Sequence, residues 1–179
     1  MPFSAISLLH FLDLKEGDWV LQNAANGAVS RMIAQLGAAR GINVVGLVRR
    51  DAGVDELRAE GIERVISTES ADWREQLAAI TGGAEIRVGI DSVGGKAAGD
   101  VLSALATNGT LVAFGAMAPP TPELSSSDLI FKQATVKGFW GSVVSREMSA
   151  ELKGQLFGEL IGRVLDGTLT LPVAGTFGF

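Results

Sequence analysis

The stretch from residue 18 to residue 50 restricts the fold more than any other part of the chain. Residues 19–24 open with Trp19-Val20-Leu21 and have the apolar character of a central parallel strand covered on both faces. A turn of small residues follows, Ala25-Asn26-Gly27-Ala28-Val29-Ser30. Beyond it Val29, Met32, Ile33 and Leu36 recur at i, i+3, i+4 and i+7, the apolar stripe of an amphipathic helix. Arg40-Gly41 supplies a basic last turn and a stop, because glycine enters the left-handed backbone region with no Cβ to clash. Residues 43–48 are a second apolar strand. Two buried strands joined through a helix are satisfied by lying parallel in one sheet, with the helix packed across a face.

The same alternation continues along the chain. Helices are expected near 54–60, 72–80 and 97–107, stopped by Gly61, Gly82-Gly83 and Asn108-Gly109, with strands at 64–67, 85–91 and 110–114. The proline-rich loop 118–122 cannot be helix or inner strand, and a short helix at 125–131, a strand at 135–140 and a long helix at 147–166 follow it. That last helix is expected to bury Leu152, Leu156, Leu160 and Val164 and to stop at Gly167. Its Gly154, Gly158 and Gly162 imply close packing against the sheet or a partner subunit. Glu151, Lys153, Glu159 and Arg163 make the segment amphipathic rather than membrane-spanning. Residues 3–12 form a lead-in helix with His10 on its surface, closed by a turn that ends at Gly17. The expected class is α/β: a doubly wound parallel sheet in one three-layer domain spanning 1–179.

Composition removes several classes of function. A net charge of -5 opposes general binding to a nucleic-acid backbone. There is no cysteine, and His10 is the only histidine, so disulfides, thiolate chemistry and a zinc site are not expected. No run approaches the roughly 18 apolar residues of a membrane helix, and Met1-Pro2-Phe3-Ser4 lacks the basic and apolar segments of a secretory signal. The expected location is the cytoplasm.

The chemistry concentrates at three places. The turn at 25–30 is an altered G-x-G-x-x-G that keeps the central Gly27 and replaces the outer glycines by Ala25 and Ser30. Such a turn brings backbone close to a pyrophosphate and aims a helix N-terminus at its charge, a demand that small residues largely meet. The bland alternative is a tight turn that binds nothing. At the end of the second strand, where an NAD-binding unit places an acid for the adenosine ribose, stand Arg49 and Arg50. A guanidinium there pairs with a 2′-phosphate, so NADP is favoured over NAD; a solvated pair partly neutralised by Asp51 is the alternative. Asp91-Ser92-Val93-Gly94-Gly95 and Phe114-Gly115-Ala116-Met117 fall just past two further strands, where open α/β sheets bind ligands. Asp91 has no visible acid–base partner and reads as a hydrogen-bonding or turn residue, and no catalytic residue is assigned.

These segments, together with 22–30, 130–132 and Gly138-Phe139-Trp140, resemble in order and spacing the medium-chain dehydrogenase/reductase superfamily. The zinc-independent branch of 2-enoyl thioester reductases and quinone oxidoreductases is the most similar. The resemblance implies a Rossmann-type domain in which Asn26, Gly27, Ala28 and Val29 hold the pyrophosphate, Arg49 takes the 2′-phosphate and Arg50 flanks it. Val93, Gly115, Met117, Phe139 and Trp140 would then lie toward the nicotinamide. It further implies a homodimer paired through 135–139, and an enoyl thioester, quinone or enone as hydride acceptor. Ser30, where the family has glycine, is a departure. A larger one is that the family's barrel-like lobe and its tyrosine are missing from this sequence, so 168–179 read as the start of a return toward an absent catalytic lobe. A non-catalytic nucleotide-binding or dimerisation module is the rival reading. A methyltransferase is weaker, because that class wants an acid where Arg49 stands.

Overall fold

The computed structural model describes residues 1–117 and 121–171. Most of the proline-rich loop 118–122, and the return segment beyond Leu171, lie outside the described residues. The strands are β1 (Trp19–Gln22), β2 (Asn43–Val48), β3 (Val65–Ser67), β4 (Val88–Asp91), β5 (Thr110–Ala113) and β6 (Thr135–Gly138). All pairings among them are parallel and give one sheet in the order β3-β2-β1-β4-β5-β6. The helices among the described residues are α1 (Pro2–Phe11), α2 (Ala28–Ala39), α3 (Asp51–Ala59), α4 (Trp73–Thr81), α5 (Gly95–Ser103), α6 (Ser126–Phe131), α7 (Gly141–Glu147) and α8 (Ala150–Leu165). The doubly wound α/β class is therefore as the sequence implies. Most element ends move by one to four residues from the expected ones.

The period of two along each strand divides the core into two layers. Val20, Val44, Ile90 and Val112 point to one face, where they meet Ile6, Leu9, Met32, Leu36, Leu156 and Leu160 from α1, α2 and α8. Their neighbours Leu21, Val45 and Leu111 point to the other face, against Trp73, Leu77, Val101 and Leu102 from α4 and α5. Both faces are covered, so the strands can be apolar throughout. Val48 and Val65 close the core under Leu57 of α3.

Helix α1 is more than a lead-in. Ala5, Ile6, Ser7, Leu8 and Leu9 are buried in succession, so the middle of the helix is enclosed, while His10 is exposed as expected. A helix that is apolar all round belongs inside a core.

The expected single helix 147–166 is two helices. Met148 is extended (φ -63°, ψ 140°), and Ser149 starts α8 by accepting a hydrogen bond from the Leu152 amide on its Oγ at 3.1 Å. Serine competes with the helix ladder for such amides, which is why it caps α8 instead of continuing α7. Leu156 and Leu160 are buried as expected, but Val164 is exposed. The reading of Gly154, Gly158 and Gly162 as close-packing residues against the sheet is overturned: a Cβ at any of them would meet nothing within 4 Å. They lie on the outer face, beside the exposed Phe157 and Ile161.

Arg40, the C-cap of α2, holds α8 in place through a bidentate pair, Nε to Glu159 Oε1 at 2.9 Å and Nη2 to Oε2 at 2.7 Å. The bond to Arg40 keeps the Glu159 carboxyl below its ordinary pKa, against the opposing effect of burial. A carboxylate depressed in the folded state stabilises above its unfolded pKa and loses that contribution as pH falls through the folded value. Glu159→Gln is therefore expected to cost about 1 kcal/mol at pH 7. In urea titrations across pH the gap to the native chain should close as pH falls through the depressed folded value of this carboxyl. A gap independent of pH would contradict the pairing.

Candidate functional site

Strand order reverses between β1 and β4, because the chain winds outward from β1 through β2 to β3 and then crosses back to β4. At such a switch point the loops beyond the carboxyl ends of the strands part, and a crevice opens. Here it has a volume of about 550 Å³ and is lined by Asn23, Ala24 and Asn26 after β1, by Val48, Arg49 and Arg50 at the end of β2, and by Glu56 from α3. Thr68, bonded to Val48, lies on the β2 side, and Val93, Asp100 and Met117 complete the opposite side.

The turn after β1 is held tightly. Ala24 adopts a left-handed φ of +48°, and Gly27 donates its N–H to the Ala24 carbonyl at 2.8 Å. A non-glycine residue in that region costs about 1–2 kcal/mol, a strain characteristic of ligand sites. A Cβ on Gly27 would stand 3.1 Å from the Ala24 oxygen, and one on Gly46 of β2 would stand 2.6 Å from the Ala25 Cβ. These two glycines let the turn close on itself and sit against β2. Helix α2 then begins with the Ala28 and Val29 amides free of any backbone partner among the described residues, facing outward as an unsatisfied helix N-terminus does. Ser30, the departure from glycine, is buried at 4 % exposure, and its carbonyl accepts from Gln22 Nε2 at 2.9 Å, so the helix still lies close to the strand.

Arg49 and Arg50 are exposed at the crevice mouth, and among the described residues neither has a carboxylate within 4.0 Å, Asp51 included. The carboxylates nearby are engaged elsewhere. Arg31 of α2 binds Glu56 through Nη2 at 2.5 Å and Glu60 through Nη1, and its Nε donates to the Asn26 carbonyl at 3.0 Å. Partial burial works against its charge, but the bonds to Glu60 and Glu56 more than offset this and raise the guanidinium pKa further.

Beneath the crevice, Asn23 and Asp91 tie the ends of β1 and β4 together. Asn23 Nδ2 donates to Asp91 Oδ1 at 2.5 Å, and Asn23 Oδ1 accepts from the Ser92 amide at 2.7 Å. Asp91 Oδ1 also accepts from the Val93 and Gly94 amides, each at 3.0 Å. With Asp91 2 % exposed and its oxygens occupied, it is the hydrogen-bonding residue its sequence setting implied.

Of the residues singled out from sequence, Asn26, Arg49, Arg50, Val93 and Met117 meet around the crevice. Gly27, Ala28, Val29 and Gly115 stand behind its lining, as parts of the turn, the helix start and the backbone beyond β5. The side chain of Phe139 points into the core. It is 6 % exposed and packs edge-on against Phe11 at 5.1 Å, because the residue after β6 faces the α1 layer. Trp140 is 72 % exposed, at the start of α7. Sequence reasoning missed Asn23, Arg31, Glu56 and Thr68 as parts of the site. Arg31 at least had a signal, since a basic residue in the first turns of a helix opposes the helix dipole and needs a carboxylate partner.

The fold and crevice together define a dinucleotide-binding α/β domain. Residues 28–154 match the zinc-binding dehydrogenase family, and the chain belongs to that family. It is similar to the mitochondrial enoyl-[acyl-carrier-protein] reductase of Yarrowia lipolytica, 34% identical over 146 residues that make up 78% of this chain and 38% of the relative. Among solved structures it is similar to the mitochondrial 2-enoyl thioester reductase Etr1p/Etr2p heterodimer from Candida tropicalis, at 27% identity and a TM-score of 0.84. The likeness covers 96% of this chain and 50% of that one. A complex of Etr1p with NADP and crotonyl-CoA matches at 27% identity and a TM-score of 0.82, over 94% of this chain and 49% of that one. The chain thus spans about half the length, or less, of the proteins it matches. The expected cytoplasmic location does not stand against these relatives: the reductases of Yarrowia lipolytica, Arabidopsis thaliana and Homo sapiens are mitochondrial.

The family's description includes zinc, and the residues present do not fit it. The chain has no cysteine and one histidine, and among the described residues no three His, Cys, Asp or Glu side chains converge.

Proposed function

We propose that this chain is the NADP(H)-binding half of a zinc-independent reductase that delivers hydride to an enoyl thioester, quinone or related enone. The observation that carries the reading is the pair of uncompensated arginines at the end of β2, facing the crevice beside an open helix N-terminus. The likeness to NADP-bound Etr1p supports it.

In this reading the Ala28 and Val29 amides and the Asn26 turn receive the pyrophosphate, where unsatisfied N–H groups and the helix dipole favour negative charge. Arg49 takes the 2′-phosphate in a bidentate, charge-assisted pair, with Arg50 beside it. Val93, Gly115 and Met117, with the backbone of Phe139 and the exposed Trp140, border the nicotinamide. The dinucleotide supplies hydride when bound. The residues here fix where it points, and the acceptor is held by the parent protein's other half. β6 leaves one strand edge unpaired at the end of the sheet, with all four residues exposed, and the dimer of the parent is proposed to form by pairing of two such edges.

Loss of NADPH absorbance on adding crotonyl-CoA separates an enzyme from a non-catalytic module. This chain is expected to bind NADPH yet turn over at least about a hundredfold more slowly than a form carrying both halves, since positioning of acceptor against donor supplies much of the rate. The same preparation should sediment as a dimer. Absence of turnover in the longer form would favour a binding module, and absence of NADPH binding would overturn the reading.

A further inference from the structure

Glu56 poses a problem for a phosphate site. Its carboxylate lines the same crevice as Arg49 and Arg50, where it would either capture one of their guanidinium groups or repel a phosphate dianion. It does neither, because Arg31 reaches across from α2 and binds Glu56 and Glu60 of the facing helix end at once. The third edge of the same guanidinium is occupied by the Asn26 carbonyl at 3.0 Å. A carbonyl oxygen bare toward the pyrophosphate would oppose its charge, and here that oxygen has a donor. The Arg31 side chain is 16 % exposed, so the group is fixed by packing as well as by its bonds.

We propose that Arg31 is a positioning residue for cofactor selectivity: by neutralising Glu56 and bracing the Asn26 turn, it keeps Arg49 and Arg50 available for a 2′-phosphate that it does not itself touch. This rests on the NADP(H) reading and adds a residue to it. A guanidinium suits the task because its fork serves two carboxylates and one carbonyl in a plane, which an ammonium cannot do. The consequence is specific. Freeing Glu56 penalises a ligand with a phosphate at the mouth of the crevice far more than one with two ribose hydroxyls there.

Isothermal titration of NADPH and NADH into the native chain, Arg31→Gln, and Arg31→Gln combined with Glu56→Gln tests this. Arg31→Gln is expected to lose about tenfold in NADPH affinity and no more than about twofold in NADH affinity, the scale of one unit charge acting through partly screened solvent. The double variant should recover most of the NADPH affinity. A parallel loss for both cofactors, or no recovery in the double variant, would reduce Arg31 to a brace of the fold and overturn the proposal. Thermal melts establish folding. Should Arg31→Gln not fold, Glu56→Gln alone is read instead: NADPH affinity within about twofold of native is expected, and a tenfold gain would mean that Glu56 was never compensated. Failure of the native chain to bind NADPH, or indifference to loss of Arg49, would instead refute the cofactor assignment.

Discussion

Arg49→Ala is expected to weaken NADPH binding by more than tenfold while moving NADH binding by no more than about threefold. A hydrogen bond to a charged group contributes about 1.5–3 kcal/mol, and each 1.4 kcal/mol is a factor of ten. Arg49 is placed to give the full effect: it follows directly on β2, lines the crevice and has no carboxylate within 4.0 Å among the described residues. Arg50 limits the loss. It lines the same crevice, and as the N-cap of α3, with φ -132° and ψ 150°, its backbone is fixed while its side chain remains exposed. The double replacement should therefore abolish the preference for the phosphorylated cofactor. Calorimetry with both cofactors reads this directly, and an equal loss for NADPH and NADH would mean that Arg49 does not meet the 2′-phosphate.

Asp91→Ala should be the more damaging change to the fold. Its carboxylate, on a side chain only 2 % exposed, accepts from the buried Asn23 side chain, from the buried Gly94 amide and from the half-buried Val93 amide. Each buried donor left without a partner costs about 1–3 kcal/mol, and water entering from the crevice recovers part of it. A net loss of about 3 kcal/mol is expected, which in a chain of this size lowers Tm by about 6–12 °C. Guanidinium titration should show the midpoint falling with the slope unchanged. Asp91→Asn keeps one acceptor oxygen and should retain about half of the stability difference. A loss under about 1 kcal/mol for the alanine variant would mean that the ends of β1 and β4 are held by something other than this knot.

Much of the fold was legible because each of its signals is local. The apolar period of α2, the glycine after Arg40 and the apolar runs of β1 and β2 each report on neighbours a few residues away. Parallel order then follows, and with it the convergence of Asn26, Arg49, Arg50, Val93 and Met117, since a doubly wound sheet sends all of those loops to one edge. What was not legible depends on contacts across long separations. Asn23 meets Asp91 across 68 residues, and Arg31 meets Glu56 and Glu60 across 25 and 29. No period announces such pairs. The break between α7 and α8 is a different case, because Ser149 is a cap signal inside an otherwise continuous apolar stripe, and the stripe alone implies one helix. The direction of the Phe139 ring was not legible either, because it follows from strand alternation toward α1 and from a contact with Phe11 far away in sequence.

The most direct test of the whole account is a crystal structure of this chain grown with NADPH at saturating concentration. The adenosine 2′-phosphate is expected within hydrogen-bond distance of the Arg49 guanidinium, and the pyrophosphate on the amides of Ala28 and Val29. An empty crevice, or a dinucleotide bound anywhere other than between the β1 turn and the end of β2, would contradict it.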